Sequence, residues 1–433
     1  MSTAADTQTR SRNARARHIR AALRLACVLG AVSTLGAGCT TLVAGSGVKA
    51  GGPAPPAANV ALLDPGNYPR TPRPPLGTVP DDDAGRRVEA QRMAGAVTGP
   101  WEVDPTLLRV GDEHAPTTAL PTLASLAGLV FGQALADQAG PHHYLLGFAS
   151  GRASVSAAAG QPPADKAKIL DNAVLRFASP QDAAAAAAAM AAANLATART
   201  DTTGPVPAQR LPIARYPATV VNLAAIDYGF EALALTARGP YVLYQYAGSK
   251  DSAEAVTDLI TKTLDLQIPA IDHFQPTAPD QLASLPADPT GLLARTVPAT
   301  PDVNHAAVYD PRGALHFRAD PPATQKMYVD AGIQRVSVDR TTVWEAIDPT
   351  GALSAAQWIV RMDVPFLGYQ TIAGINGLPS ARCFDRGPSS PGLAAVRYLC
   401  VATADRYAFR ATAAQEAEAH QVIAAQYLML TAS

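Results

Sequence analysis

Little in this chain is charged, aromatic or sulfur-bearing. Of 433 residues, 16% are charged and 6% aromatic, and four are cysteine. Each shortage excludes something. Past the N-terminus no cluster of Lys and Arg occurs, and only six of the 35 basic residues are Lys. Nucleic-acid binding needs a basic face that neutralises phosphates, so that partner is set aside. No HExxH or CxxC spacing exists, so neither a metal site nor a cofactor is implied. Gly248-Ser249-Lys250 lacks the order and the earlier glycine of a phosphate loop. Hydrophobic residues, at 48%, are plentiful enough for a folded body with room for two domains.

The N-terminus says more. Arg10, Arg12, Arg15, Arg17, Arg20 and Arg24 precede an apolar run at 25–35, and Gly36-Ala37-Gly38 then leads to Cys39. The run is too short to span a bilayer as a stable helix. The pattern predicts a lipoprotein signal over 1–38, with lipid on Cys39 holding the chain at the outer face of the cytoplasmic membrane. Leu35 stands four residues before Cys39, with Gly36 at the usual leucine position. An ordinary secretory signal, with Cys39 incidental, is the alternative. Loss of 1–38 removes six Arg and one Asp, which leaves 29 basic against 35 acidic side chains. Cys27 leaves with the leader, and the remaining pair, Cys383 and Cys400, implies a disulfide in an exported protein. Two thiols without a nearby His do not complete a metal site.

Residues 39–59 are Gly-, Ala-, Ser-, Thr- and Pro-rich, a flexible tether, and the prolines through Pro80 suggest an arm laid over the body. Asp81-Asp82-Asp83 reads as the acidic start of a helix rather than a cation site. Leu123, Leu126, Val130, Phe131 and Leu135 predict an amphipathic helix over 120–136. An internal repeat follows. Val174 to Pro180 reads as a strand entering a helix capped by Ser179, and Val343 to Pro349 repeats this with Asp348 as cap. Leu211-Pro212-Ile213-Ala214-Arg215-Tyr216 matches Leu378-Pro379-Ser380-Ala381-Arg382-Cys383, and in each copy a strand pair and a final helix follow. The expected fold is therefore α+β: two related halves, 60–285 and 286–433, each an antiparallel sheet covered by helices on one face. Each repeats strand, helix, three strands, helix, and the Pro-, Ala- and Asp-rich 275–299 connects them.

Catalytic signals are sparse. His142-His143 would point to opposite faces of a strand, Asp112-Glu113-His114 has no companion ligand, and His316 reads as a residue on a strand face. Gly147-Phe148-Ala149-Ser150-Gly151 misses the nucleophile elbow by one position. Ser46-x-x-Lys49 lies in the tether. A dispersed triad requires Ser150, His142 and Asp112 to converge. Tyr244 and Tyr246 share one strand face and Tyr241 takes the other; aromatics at the junction of the halves would line an apolar groove.

Leu63-Asp64-Pro65-Gly66-Asn67-Tyr68-Pro69, the stretch 89–93, and Arg397-Tyr398-Leu399-Cys400 ahead of Asp405-Arg406-Tyr407 carry a resemblance. From residue 60 onward the chain resembles uncharacterised lipoproteins of mycobacteria, nocardiae and their relatives, a family known as a domain of unknown function. The resemblance brings no catalytic residues. The expectation is a non-catalytic envelope module that binds a lipid, a glycolipid or an envelope protein, with the junction of the halves as its site. An envelope hydrolase using Ser150, His142 and Asp112 is the alternative.

Overall fold

Side-chain oxygens start most of the long helices. Asp81, Ser179, Ser252, Asp320 and Asp348 each accept a hydrogen bond from the backbone N–H three residues on, at 2.8–3.1 Å. Proline follows three of these caps, at Pro180, Pro321 and Pro349, where its missing N–H has no partner to lose. The computed structural model describes residues 57–110, 117–154, 168–227, 229–299, 306–366, 368–387 and 397–432. The leader, Cys39, Ser46, Lys49, Asp112, Glu113 and His114 lie outside the described residues.

The N-terminal half opens with α1 (Asp82–Met93), α2 (Pro100–Val103), β1 (Arg109–Val110), β2 (Thr118–Leu120), α3 (Leu123–Leu126) and α4 (Gly132–Ala139). It continues through β3 (Tyr144–Ala153), β4 (Lys168–Phe177), α5 (Pro180–Ala196) and a small hairpin, β5 (Arg199–Asp201) with β6 (Gly204–Val206). Four strands and a helix complete it: β7 (Gln209–Leu211), β8 (Val220–Ile226), β9 (Gly229–Arg238), β10 (Tyr241–Ser249) and α6 (Ala253–Asp272). The C-terminal half begins with β11 (Ala307–Tyr309), α7 (Pro311–Ala314), α8 (Pro321–Asp330), β12 (Ile333–Val338), β13 (Thr342–Ala346) and α9 (Pro349–Phe366). It ends on β14 (Gln370–Ile372), β15 (Arg382–Asp385), β16 (Tyr398–Ala404), β17 (Tyr407–Ala413) and α10 (Glu416–Thr431).

Both halves trace one path. The first sheet is ordered β1-β3-β4-β10-β9-β8-β7, with β2 beside β3, and the second β11-β12-β13-β17-β16-β15-β14. In each, a helix carries the chain from a central strand to the far edge, and four antiparallel strands return to that central strand. The expected duplicated α+β architecture is present. The fourth returning strand is the three-residue β7 or β14, too short to show an alternating pattern.

Pairing registers fix the equivalent residues. Tyr241 pairs with Arg176 and Arg238, while Tyr407 pairs with Glu345 and Ala404, so Tyr241 corresponds to Tyr407 and Arg176 to Glu345. Ser179 then falls on Asp348, and both cap the next helix. Val220 pairs with Leu235 and Arg382 with Val401, three residues before Arg238 and Ala404 respectively. Arg382 therefore stands on Val220, not on Arg215. The similarity of 211–216 to 378–383 is out of register by five residues: 212–216 lies in the loop ahead of β8, whereas Arg382 and Cys383 are already paired in β15.

One-sided covering is corrected too. Leu175, Leu233, Leu235, Val242 and Tyr244 pack with α4 and α5, whereas Val174, Ala232, Ala234 and Leu243 belong to the core of α1 and α6. In the second half Cys400, Ala402 and Phe409 meet α10, and Trp344, Val401 and Ala408 meet α9. The cause lies in the strands, where apolar residues occupy both parities, as sheets buried on both faces require. The α6 side of the first sheet and the α9 side of the second share one core with Met93, Trp101, Phe148, Tyr309 and Leu315. Non-equivalent faces meet, so the repeat is tandem rather than two-fold.

The expected helix over 120–136 is broken. Leu120 ends β2, Thr122 caps the single turn α3, and Phe131 at φ 58° separates α3 from α4. The arm before α1 does cross the body: the Asn59 N–H donates to the Gly377 carbonyl at 2.8 Å, and Arg73 Nη2 to that of Leu293 at 2.6 Å. The connection is anchored by buried Leu282, Leu292 and Val297.

Candidate functional site

A cavity of about 530 Å³ opens beyond the C-terminal end of α5, bounded by the α3–α4 loop, the start of β4, and the ends of β8 and β10. Val130, Ile169, Ile226 and Phe230 give it apolar walls. Its polar part is closed on itself. Arg199 Nε donates to Glu231 Oε1 at 3.1 Å, Nη1 to the Asn194 carbonyl at 2.9 Å, and Nη2 to Asn194 Oδ1 at 3.0 Å. The Tyr246 hydroxyl donates to Glu231 Oε2 at 2.8 Å. Burial pushes the Arg199 pKa down, and the neighbouring Glu231 carboxylate opposes that shift. The two charges cancel, so the cavity offers volume and apolar surface rather than a field for an ion.

Phe131 is the strained element here. A bulky L-residue in the left-handed region costs about 1–3 kcal/mol and persists where its surroundings over-determine it. The Arg199 guanidinium lies 4.3 Å from its ring centroid, and Tyr246 meets it edge-on at 6.0 Å. Tyr246 was legible from strand alternation. Arg199 was not, since it follows an alanine-rich helix with no motif around it. Tyr244 is buried beside the cavity and donates to the Val130 carbonyl at 3.1 Å; Tyr241 takes the other sheet face.

The dispersed triad does not assemble among the described residues. His142 ends a 3-10 turn, and His143, at φ 54°, accepts the left-handed corner before β3, so neither lies on a strand. His143 Nδ1 contacts Asp182 Oδ1 at 2.9 Å on the surface. Ser150 lies six residues along β3 from Tyr144, about 20 Å at the strand rise, which puts it out of hydrogen-bond reach of His142. Ser150 instead meets His316, which sits in a buried 3-10 turn rather than on a strand.

This pair joins the two halves. His316 Nε2 donates to the Ala94 carbonyl at 3.0 Å, leaving Nδ1 bare to accept the Ser150 hydroxyl at 2.8 Å. Burial pushes the imidazole pKa down to about 3, far below the range of a general base working near neutrality. Beside it, buried Arg152 donates to the carbonyls of Leu108, His316 and Arg318 at 2.7–2.9 Å and stacks 5.3 Å from the Trp101 ring. The middle of the junction, expected as a groove, is thus filled by interlocking side chains. Clefts of about 330 and 390 Å³ remain along its rim, near Arg92.

Cys383 and Cys400 face each other across β15 and β16 and are bonded, with Cα atoms 4.2 Å apart. His420 of α10, 20 residues beyond Cys400, brings an imidazole nitrogen within 4.8 Å of both sulfurs, a proximity that sequence spacing concealed. As a disulfide, the sulfurs are not thiolate ligands. Among the described residues no helix is long and apolar enough to cross a membrane.

The fold defines an α+β protein of two tandem halves that share one strand order, with a cavity in the first. Residues 76–287 match the N-terminal part, and 292–433 the C-terminal part, of a family described as domain of unknown function DUF7373, and the chain belongs to that family. Among solved structures it is similar to the extracellular domain of PknH from Mycobacterium tuberculosis, at 12% identity over 42% of this chain and 97% of that one, with a TM-score of 0.30. No curated protein matches the chain.

Proposed function

We propose that this protein is an exported, lipid-anchored binding module of the cell envelope, whose N-terminal half takes the apolar part of a small ligand. The cavity with its internally neutralised Arg199–Glu231 pair carries the reading. A charged ligand would have to compete with that pair, whereas an acyl chain or an aromatic ring needs only the apolar walls. The leader motivates the anchor. Cys39→Ala should move the protein from the membrane fraction to the medium and abolish N-terminal lipid in mass spectrometry. An unmodified Cys39 in the wild type refutes the anchor alone.

The cavity is tested by native mass spectrometry with palmitate. One equivalent should bind, and Ala198→Trp should weaken binding at least about tenfold by filling the cavity mouth from an exposed position. Absent binding, or binding indifferent to that substitution, overturns the site.

A further inference from the structure

The corresponding place in the second half holds a cluster of different character. With Ser179 on Asp348, Asn194 falls on Asp363 and Leu175 on Trp344; with Tyr241 on Tyr407, Tyr244 falls on Arg410. In the first half Asn194 serves a neutral Arg–Glu pair. In the second, Asp363 accepts from Arg318 Nη2 at 3.2 Å and also from Arg410 Nη1. Both guanidiniums lie over Trp344, 5.3 and 6.0 Å from its ring.

The charges here do not balance. Asp363 must serve two cations. Asp385, the other nearby carboxylate, is taken by Arg397 through bonds of 2.9 and 3.0 Å. Among the described residues, the Arg318 and Arg410 side chains make no hydrogen bond except to Asp363, and Arg318 Nε is buried without a partner. Arg410 remains 24% exposed against 6% for Arg318, so the cluster is desolvated yet reachable from its Arg410 side. Burial, reinforced by Arg318, pulls the Arg410 pKa down to about 10, which still leaves it charged at neutral pH. Uncompensated cations with free N–H groups, held against an aromatic ring, are costly unless an anion completes them.

We propose that Arg318 and Arg410 form a phosphate-binding site in the C-terminal half. Two guanidiniums against one shared carboxylate leave one net positive charge and unused N–H donors, which suits a phosphate anion. Guanidinium forks present paired N–H groups suited to its oxygens. The phosphate comes either from a small soluble molecule or from a lipid headgroup. The site does not depend on the N-terminal cavity reading.

The test uses the mature chain, with inorganic phosphate followed by 31P NMR and thermal unfolding against chloride of equal ionic strength. Phosphatidylcholine vesicles with and without phosphatidylinositol form a second arm. Saturable binding in either arm is expected; phosphate alone points to a soluble ligand, and vesicles alone to a headgroup. Arg410→Gln and Arg318→Gln should each weaken binding roughly ten- to a hundredfold. Asp363→Asn removes the competing carboxylate, so its lowered unfolding temperature should be raised by phosphate more than that of the wild type. This gain survives even if an arginine variant folds poorly. No saturable binding in either arm, binding unchanged in Arg410→Gln, or an Asp363→Asn protein indifferent to phosphate overturns the site.

Discussion

His316 makes the stability of this protein depend on pH in a calculable way. Its ring is buried between the halves, with Trp101 and Phe148 at centroid distances of 5.1 and 5.2 Å. Folding lowers its pKa from 6.5 to about 3, chiefly by desolvation. A base depressed in this way is neutral when folded, while the unfolded chain takes up a proton below pH 6.5. Stability is therefore fully present above that pH and is lost as the pH falls toward 3. By linkage this group removes about 2 kcal/mol between pH 7 and pH 5, and about 5 kcal/mol once both states are protonated. His316→Phe keeps a ring in the core but leaves the Ser150 hydroxyl and Ala94 carbonyl without their partner. Its stability at pH 7 should drop by about 2–4 kcal/mol. The diagnostic quantity is the difference between the two proteins. Denaturant unfolding at pH 7, 6 and 5 should show wild type and His316→Phe converging by about 2 kcal/mol. Parallel pH profiles, or a His316 imidazole resonance titrating near 6.5 in the folded protein, would refute the reasoning.

Three further outcomes are expected. Reducing Cys383–Cys400, which are 17 residues apart, should lower the unfolding free energy by about 3 kcal/mol in the chain-entropy estimate, read by denaturant titration with and without a dithiol. Glu89 is fully buried and binds exposed Arg92, buried Arg176 and the Thr277 N–H, so Glu89→Gln should cost about 3–5 kcal/mol by stranding the buried Arg176 guanidinium; a loss below 1 kcal/mol contradicts this. Gly229 stands at φ 130°, where an added Cβ would lie 2.4 Å from the Ser249 carbonyl oxygen, so Gly229→Ala should destabilise by more than about 1 kcal/mol in thermal unfolding.

Interactions confined to a few residues could be read directly. A cap needs only a side-chain oxygen and the N–H three positions on, so Asp81, Ser179 and Asp348 announced α1, α5 and α9 before any packing was known. Strand alternation likewise divided Tyr244 and Tyr246 from Tyr241. The duplication was visible because strands and caps recur in order, yet the match of Arg215 to Arg382 was misleading. A short compositional match carries no register, and only the ladder of paired residues places Arg382 on Val220.

The candidate sites were less legible, for the same physical reason. Cys383 and Cys400 could be expected to pair, since a chain whose leader reads as an export signal, with two thiols left beyond it, has one bridge to form. Ser150 finds His316 across 166 residues, and Arg199 finds Glu231 across 32. Whether a polar side chain is a lock, a pocket floor or an unpaired charge depends on which sheet faces are pressed together and what water is thereby excluded. Local pattern says which residues lie on a face; burial between elements distant in sequence sets what each face meets, and with it the charge balance that separates the Arg199 cavity from the Arg318–Arg410 cluster.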